Sequence, residues 1–424
     1  MRKCLYIFIM MLSGAFLSGC TDSSYRGQYD LYHAGHSSSK IPVWIKIGET
    51  ADLTSRTLTR GSGVIDNAEG LTDNDFHIYA FSKDQKTSYK TSSLQDELNT
   101  LLDASIDDPT SLAGRSATWN KMYERVVWKD GKDVYWPISQ AVDHRYDFFA
   151  YYVDDMHLTA GSYHRTDDEV NIDIEIDGMQ DLMSAKAEPS DVRLDAMFMD
   201  EMDKALYKHY YCYSYKSAMV NLQPEFVFNH HLTKIRFKLM PGVTSGQVNQ
   251  ITLHGINVES KYKGTFRVAS KKQQQGMKFD SKEVRKFALK EEDGSQLDTT
   301  VIKTLKSANS DERGEDLGGY LLIAPSVNGY WIEMDMSEIR DLEGPNEQHL
   351  SRMKYTTFIY RGLKESPDPF EPGNEYTVTL HVYGREDVRV NIEVEEWKPG
   401  GYIIPDTEDG PPDMPDTEDK PDIN

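Results

Sequence analysis

The chain has 424 residues, 69 acidic against 47 basic for a formal charge of -22, and is 38% hydrophobic and 11% aromatic. At roughly 150 residues per domain, that length allows two or three domains with real cores. Strong acidity without a cluster of Lys and Arg excludes a nucleic-acid surface, and a mean hydropathy of -0.61 with no apolar run near twenty residues excludes a polytopic membrane protein.

The N-terminus sets the compartment. Arg2 and Lys3 precede an apolar run over 4–17, which is too short to span a bilayer but suits a secretory signal, so 1–19 is expected to be removed. The run ends in Leu17-Ser18-Gly19-Cys20, which resembles the lipobox of bacterial lipoproteins. That resemblance implies cleavage before Cys20 and lipidation of the Cys, with the protein held firmly on a membrane by its acyl chains. The alternative is a plain secretory peptide with an incidental Cys. Once Cys4 and Cys20 are assigned, Cys212 is the remaining thiol. No intramolecular disulfide or Cys-based zinc site is then expected, and a buried Cys212 is expected rather than a nucleophile.

Residues 20–40 are polar and Ser-rich and read as a tether. Strand signals follow, beginning with 41–47 (IPVWIKI), which alternates Val43, Ile45 and Ile47 with Trp44 and Lys46. Residues 75–81 (DFHIYAF) alternate similarly, and 170–178 (VNIDIEIDG) puts Val170, Ile172, Ile174 and Ile176 on one side against Asp173, Glu175 and Asp177 on the other. This period of two marks half-buried strands with one wet face. The pattern continues at 225–240, 248–258, 264–268, 319–326, 329–336, 375–384 and 388–397. Helical periodicity is nearly absent, and 93–105 (SLQDELNTLLDAS) is the best short helix. Many short strands with turns between them describe antiparallel β-sandwiches. A boundary before Pro224 divides them into an N-terminal sandwich over 41–220 and a C-terminal one over 221–404. Residues 405–424 repeat PDTED and hold eight acidic residues with one Lys, so a disordered acidic tail is expected.

Several segments carry a family resemblance. VYWPISQAVDHRYDFFAYYVDD (134–155), MQDLMSAKA (179–187) and FNHHLTKIRFKL (228–239) resemble the signatures of the fimbrillin-like (Mfa-like) family, and ITLHGI, KGTF, YLLIAPS, FEPGNEYTVTLHV and EEWKPG follow in the family's order. The likeness covers roughly residues 41 to 400. It implies an all-β fold of two tandem transthyretin-like antiparallel sandwiches, and a role as a type V pilus (fimbrium) subunit, tip, anchor or related outer-membrane lipoprotein. In polymerising members an arginine-specific protease removes the first strand, and a neighbouring subunit's strand fills the groove by backbone hydrogen bonds.

The residues agree in part. Loss of 41–47 would uncover an edge that templates pairing with another chain. Arg56 and Arg60 lie in the Ser/Thr/Gly-rich stretch LTSRTLTRGSG and are the candidate processing sites, with Arg60 preferred because Gly61 and Gly63 follow. The alternative is that both are ordinary loop arginines. The Pro/Asp-rich end departs from a donor strand, and Val388–Trp397 reads as part of its own sheet, so an accessory, tip or anchor subunit is favoured over a stalk subunit.

Chemical readings are weaker. Asp173, Glu175 and Asp177 read as a solvated strand face rather than paired catalytic carboxylates. His230 and His231 are consecutive on a strand and face opposite sides, so they cannot easily share an ion. Asp406, Glu408, Asp409 and Gly410 fail the spacing of a calcium loop. No hydrolase, metalloprotease, P-loop or dinucleotide motif occurs, so neither an enzyme nor a cofactor is expected. The rival function is a free-standing surface lipoprotein that binds carbohydrate or another host ligand. Its aromatic platform would draw on Trp128, Trp136, Trp331 and the cluster Tyr207, Tyr210, Tyr211, Tyr213 and Tyr215, although core packing suits that cluster better.

Overall fold

The computed structural model describes residues 40–48, 71–83, 87–90, 100–103, 112–138, 144–153, 162–189, 199–202, 204–205, 212–219, 222–244, 247–306 and 314–396. Cys20, Arg56, Arg60, most of the tether and the acidic tail lie outside the described residues, as do Tyr207, Tyr210 and Tyr211.

The described chain is nearly all β. In order come β1 (Lys46–Ile47), β2 (Phe76–Ser82), β3 (Thr100–Leu102), β4 (Arg115–Asn120), β5 (Arg125–Trp128), β6 (Tyr146–Val153), β7 (Tyr163–Arg165), β8 (Glu169–Glu175) and β9 (Leu182–Lys186). One turn of helix, α1 (Tyr215–Met219), precedes β10 (Glu225–Phe226), β11 (Asn229–His230), β12 (Thr233–Pro241), β13 (Gln250–Lys261), β14 (Lys263–Ser270), β15 (Gly276–Phe279) and β16 (Val284–Ala288). The rest are β17 (Thr300–Lys303), β18 (Glu315–Ile323), β19 (Tyr330–Arg340), β20 (Gln348–Ile359), β21 (Arg361–Leu363), β22 (Ser366–Asp368), β23 (Asn374–Gly384) and β24 (Asp387–Glu396).

Four larger sheets carry the fold. One runs β11-β9-β6-β2-β4-β5 with β3 also on β2, and a second runs β15-β14-β8-β7. The third runs β18-β12-β23-β24, and the fourth runs β16-β13-β19-β20 with β17 on β13. Strands from both sides of residue 220 share two of these sheets, because β8 pairs with β14 and β9 with β11. Pairing is antiparallel throughout except for β12 with β23 and β1 with β10.

Where the alternation is strict it does what period two requires. Val170, Ile172, Ile174 and Ile176 are buried while Asp173 and Glu175 are exposed. The partner strand β14 brings Phe266 opposite Ile172 and Gly264 opposite Ile174. Gly264 suits its position because a Cβ there would collide with the Lys278 carbonyl of the neighbouring strand. The third and fourth sheets enclose a core from Ile235, Phe237, Val378 and Leu380 on one side and Ile256, Val258, Ile332 and Met334 on the other.

Two expectations need correction. Residues 100–102 of the expected helix form β3, paired through Ala80 and Leu102. Leu102 is buried there, and the adjacent Asp103 takes a bidentate pair from the buried Arg165 at 2.8 and 3.1 Å. A short apolar run has too few residues for periodicity to separate helix from strand, and tertiary pairing decided it. The second correction concerns β2, which has no wet face. Ile78 and Ala80 are buried on one side, with Phe148 of β6 opposite Ala80; Tyr79 and Phe81 are buried on the other, with Phe149 opposite Tyr79. The sheet is thus covered on both faces. Trp136, Tyr213, Phe226 and Phe228 gather on the first side, and Tyr89, Phe266 and β8 on the second.

Candidate functional site: the seat of the first strand

Residues 42–48 lie in a seat made by three separated segments. Val43 N–H donates to the Val134 carbonyl at 2.8 Å, and Pro42 bridges Tyr135 in antiparallel sense. Val126 N–H of β5 donates to the Ile45 carbonyl at 2.9 Å. On the other flank Lys46 N–H and Gly48 N–H donate to the Pro224 and Phe226 carbonyls at 3.0 and 2.8 Å, giving the short parallel pairing of β1 with β10. Alternation places Val43, Ile45 and Ile47 inside at 4, 1 and 9% exposure, while Trp44 and Lys46 are half-buried. Three buried β-branched side chains contribute about 1.5–3 kcal/mol each, so side-chain burial dominates over the few main-chain bonds.

Side chains finish both flanks. The guanidinium of Arg125 lies between two rings, 5.4 Å from the centroid of Trp44 and 5.3 Å from that of Tyr123. The β4–β5 turn holds Tyr123 there, with Asn120 Oδ1 accepting from Tyr123 N–H at 3.1 Å and Glu124 taking a φ of 47°. Upstream of β10, the buried Gln223 reaches the same strand. Its Oε1 accepts from Trp44 N–H at 3.3 Å and from the Trp136 indole N–H at 3.2 Å, and its Nε2 donates to the Pro42 carbonyl at 3.4 Å. Neither Gln223 nor Arg125 stands out in the sequence, because each lies far along the chain from the strand it contacts. The Gln-Pro pair just before a strand was the available hint.

Elsewhere the anticipated chemical groups resolve into structure. Asp173 pairs with His164 at 2.6 Å and accepts from Thr265 Oγ1 at 3.1 Å, and Glu175 pairs with Lys263 at 2.7 Å, all near the surface. His230 Nδ1 lies 3.0 Å from the buried Asp181, whereas His231 Nε2 lies 2.7 Å from Ser184 Oγ, so the two imidazoles point to different partners. Burial pushes His231 down to about 4, with His230 acting in the same direction and Asp181 opposing. His77, stacked on Tyr151, is likewise lowered by burial. Among the described residues no group of three or more His, Cys, Asp and Glu could hold a metal, and no helix is long and apolar enough to cross a membrane. Cys212 is buried.

The aromatic candidates divide. Trp136 is buried at 1% exposure against Tyr146 and Phe148, and Tyr213 is buried too, so neither can form an exposed platform. Trp128 is half-buried beneath the Arg115 guanidinium. Trp331 lies on the side of β19 opposite the buried Ile332 and Met334, 5.0 Å from Phe358, with Tyr360 beyond at 6.5 Å.

The fimbrillin-like family model matches residues 66–397. Among solved structures, a fimbrial protein from Bacteroides vulgatus is 14% identical, with 85% of this chain and 100% of that one covered and a TM-score of 0.47. The fimbrial anchor protein Mfa2 from Porphyromonas gingivalis is 10% identical over 84% of this chain and 98% of its own, with a TM-score of 0.31. The C-terminally truncated tip fimbrial protein Mfa3 from the same organism is 8% identical over 84% and 100%, at 0.35. No curated protein matches the chain. With most of its length matched, the chain belongs to the fimbrillin-like family, a family of structural fimbrial proteins rather than enzymes.

Proposed function

We propose that this chain is an outer-membrane, lipid-anchored fimbrial subunit of the accessory, tip or anchor kind, joined to other subunits by strand addition. The observation that carries the reading is the seat of residues 42–48. This first strand is short and held on both flanks by other parts of the chain, and the stretch that follows it contains Arg56 and Arg60. Cutting at Arg60 would free the strand and leave an apolar trough with unpaired main-chain groups, which a strand from a neighbouring subunit can fill. Lipidation at Cys20 would supply the anchor before any such cut. At the other end β24 is paired along its length with β23, which supports an accessory, tip or anchor role over a self-polymerising stalk.

Intact-mass and N-terminal analysis of protein from native outer membranes tests this. A species beginning at Gly61 is expected where the subunit has entered a fibre. If every species begins at acylated Cys20 with 41–60 intact, strand release is wrong and the protein stays on the membrane.

A second reading, a free-standing binder of host carbohydrate, draws on the row of Trp331, Phe358 and Tyr360 on the outer side of the fourth sheet. Such rings can stack on sugar faces. Loss of glycan binding in Trp331→Ala with an unchanged melting curve would favour it.

A further inference from the structure

We propose that the Gln223 carboxamide, oriented by the Trp136 indole, is a main-chain reader that sets the register of whichever strand occupies the first-strand seat. This rests on the strand-replacement reading above and specifies what an incoming strand must present.

The geometry is that of a missing ladder rung. In a parallel pair one residue donates its N–H to the carbonyl before the facing residue and accepts at its own carbonyl from the N–H after it. Gln223 makes that pair of bonds with its side chain around Val43, donating from Nε2 to the Pro42 carbonyl and accepting at Oε1 from Trp44 N–H. The carboxamide therefore extends the parallel pairing that Lys46 and Gly48 make with the Pro224 and Phe226 carbonyls. Its orientation is fixed, because Trp136 Nε1 donates to the same oxygen and the indole is buried against Tyr146 and Phe148. A flipped amide would set its NH2 against that N–H donor.

A reader of main-chain atoms is indifferent to side chains but not to proline. The position equivalent to Pro42 contributes its carbonyl to this contact and tolerates proline, whereas the position equivalent to Trp44 must supply an N–H and excludes it. The occupant is thus an extended segment with β-branched or similar apolar residues at the places of Val43, Ile45 and Ile47. Its residue at the place of Trp44 is not proline, and an aromatic there also covers Arg125. A one-residue slip would turn the apolar side chains outward and lose both Gln223 bonds together.

The test has two arms. In the full chain, amide hydrogen exchange is compared between wild type and Gln223→Met, which keeps the bulk and removes both polar atoms. Exchange at Trp44 is expected to speed up about five- to tenfold, with β6 and β24 unchanged. In protein cut after Arg60, two synthetic strands of sequence 41–49 compete with β1, one unmodified and one N-methylated at Trp44. The methylated strand is expected to bind about tenfold more weakly to wild type and equally well to Gln223→Met. Unchanged exchange, or the same methylation penalty in both proteins, overturns the proposal. Should Gln223→Met fail to fold, equal binding of the two strands to wild type overturns it. Faster exchange with no displacement by either strand sinks strand replacement, and with it the claim about incoming strands.

Discussion

The two outermost strands of the described chain, β1 and β24, are held in opposite ways. β24 runs antiparallel to β23 from Asp387 to Glu396 in a near-continuous ladder, with one irregularity at Val382/Gly384. β1 pairs over two residues with β10, and the residues just before it are held by scattered bonds to the segment at 134–135, to β5 and to the side chain of Gln223. Yet the 42–48 segment that contains β1 is the better buried, with Val43, Ile45 and Ile47 inside, whereas Val394 of β24 is 48% exposed. A ladder binds a strand into its own sheet, while a socket of apolar pits with scattered hydrogen bonds holds a strand that a similar one could replace.

The largest effect should come from reversing the burial. Ile45→Asp puts an unpaired carboxylate into the seat and should cost several kcal/mol, releasing 42–48 to exchange and proteolysis while the sheet of β24 stays protected. The matching change Val394→Asp should shift the melting temperature little, within about 0.5 kcal/mol. Equal losses in both variants would erase the distinction between socket and ladder.

Acid should act next, at the edge of the first sheet where His231 meets Ser184 of β9 and Phe266 of β14. His231 has a folded pKa of about 4 against 6.5 for the ordinary residue, so on acidification the unfolded chain takes up a proton first. Stability from this group is fully present above pH 6.5 and falls progressively towards pH 4, by about 3 kcal/mol at most. Denaturant melts across that window should show the slope, and His231→Gln should reduce it, with His77, also lowered by burial, still contributing in the same direction. A slope unaltered in His231→Gln would mean that other groups govern the acid response.

Smaller again is the stack on Trp44. Arg125→Ala should cost about 0.5–1 kcal/mol and show as faster exchange over 42–48. Arg389 of β24 lies 4.5 Å from the Tyr383 ring, and Arg389→Ala should cost a similar amount without loosening its strand, because the ladder remains.

Much of this was legible from the chain. Alternation located β8, β12, β19, β23 and β24, since a half-buried strand writes its two faces into successive residues. Ordered short segments such as YWP, DLMSA and FNHHLTKIRF pointed to the family. The two consecutive histidines take separate partners, Asp181 for His230 and Ser184 for His231.

What the chain could not announce was set by contacts between distant segments. No local period shows that β2 is covered on both faces, that 100–102 pairs as a strand, or that Trp136 is a buried donor rather than an exposed platform. Gln223 and Trp44 are 179 residues apart, and nothing near either one specifies the bond between them. Local patterning determined which residues could be strands and which side of each was apolar. Which polar group would finish which strand depended on where the backbone left a main-chain donor and acceptor unmatched in a dry place, and that is decided only when the sheets pack.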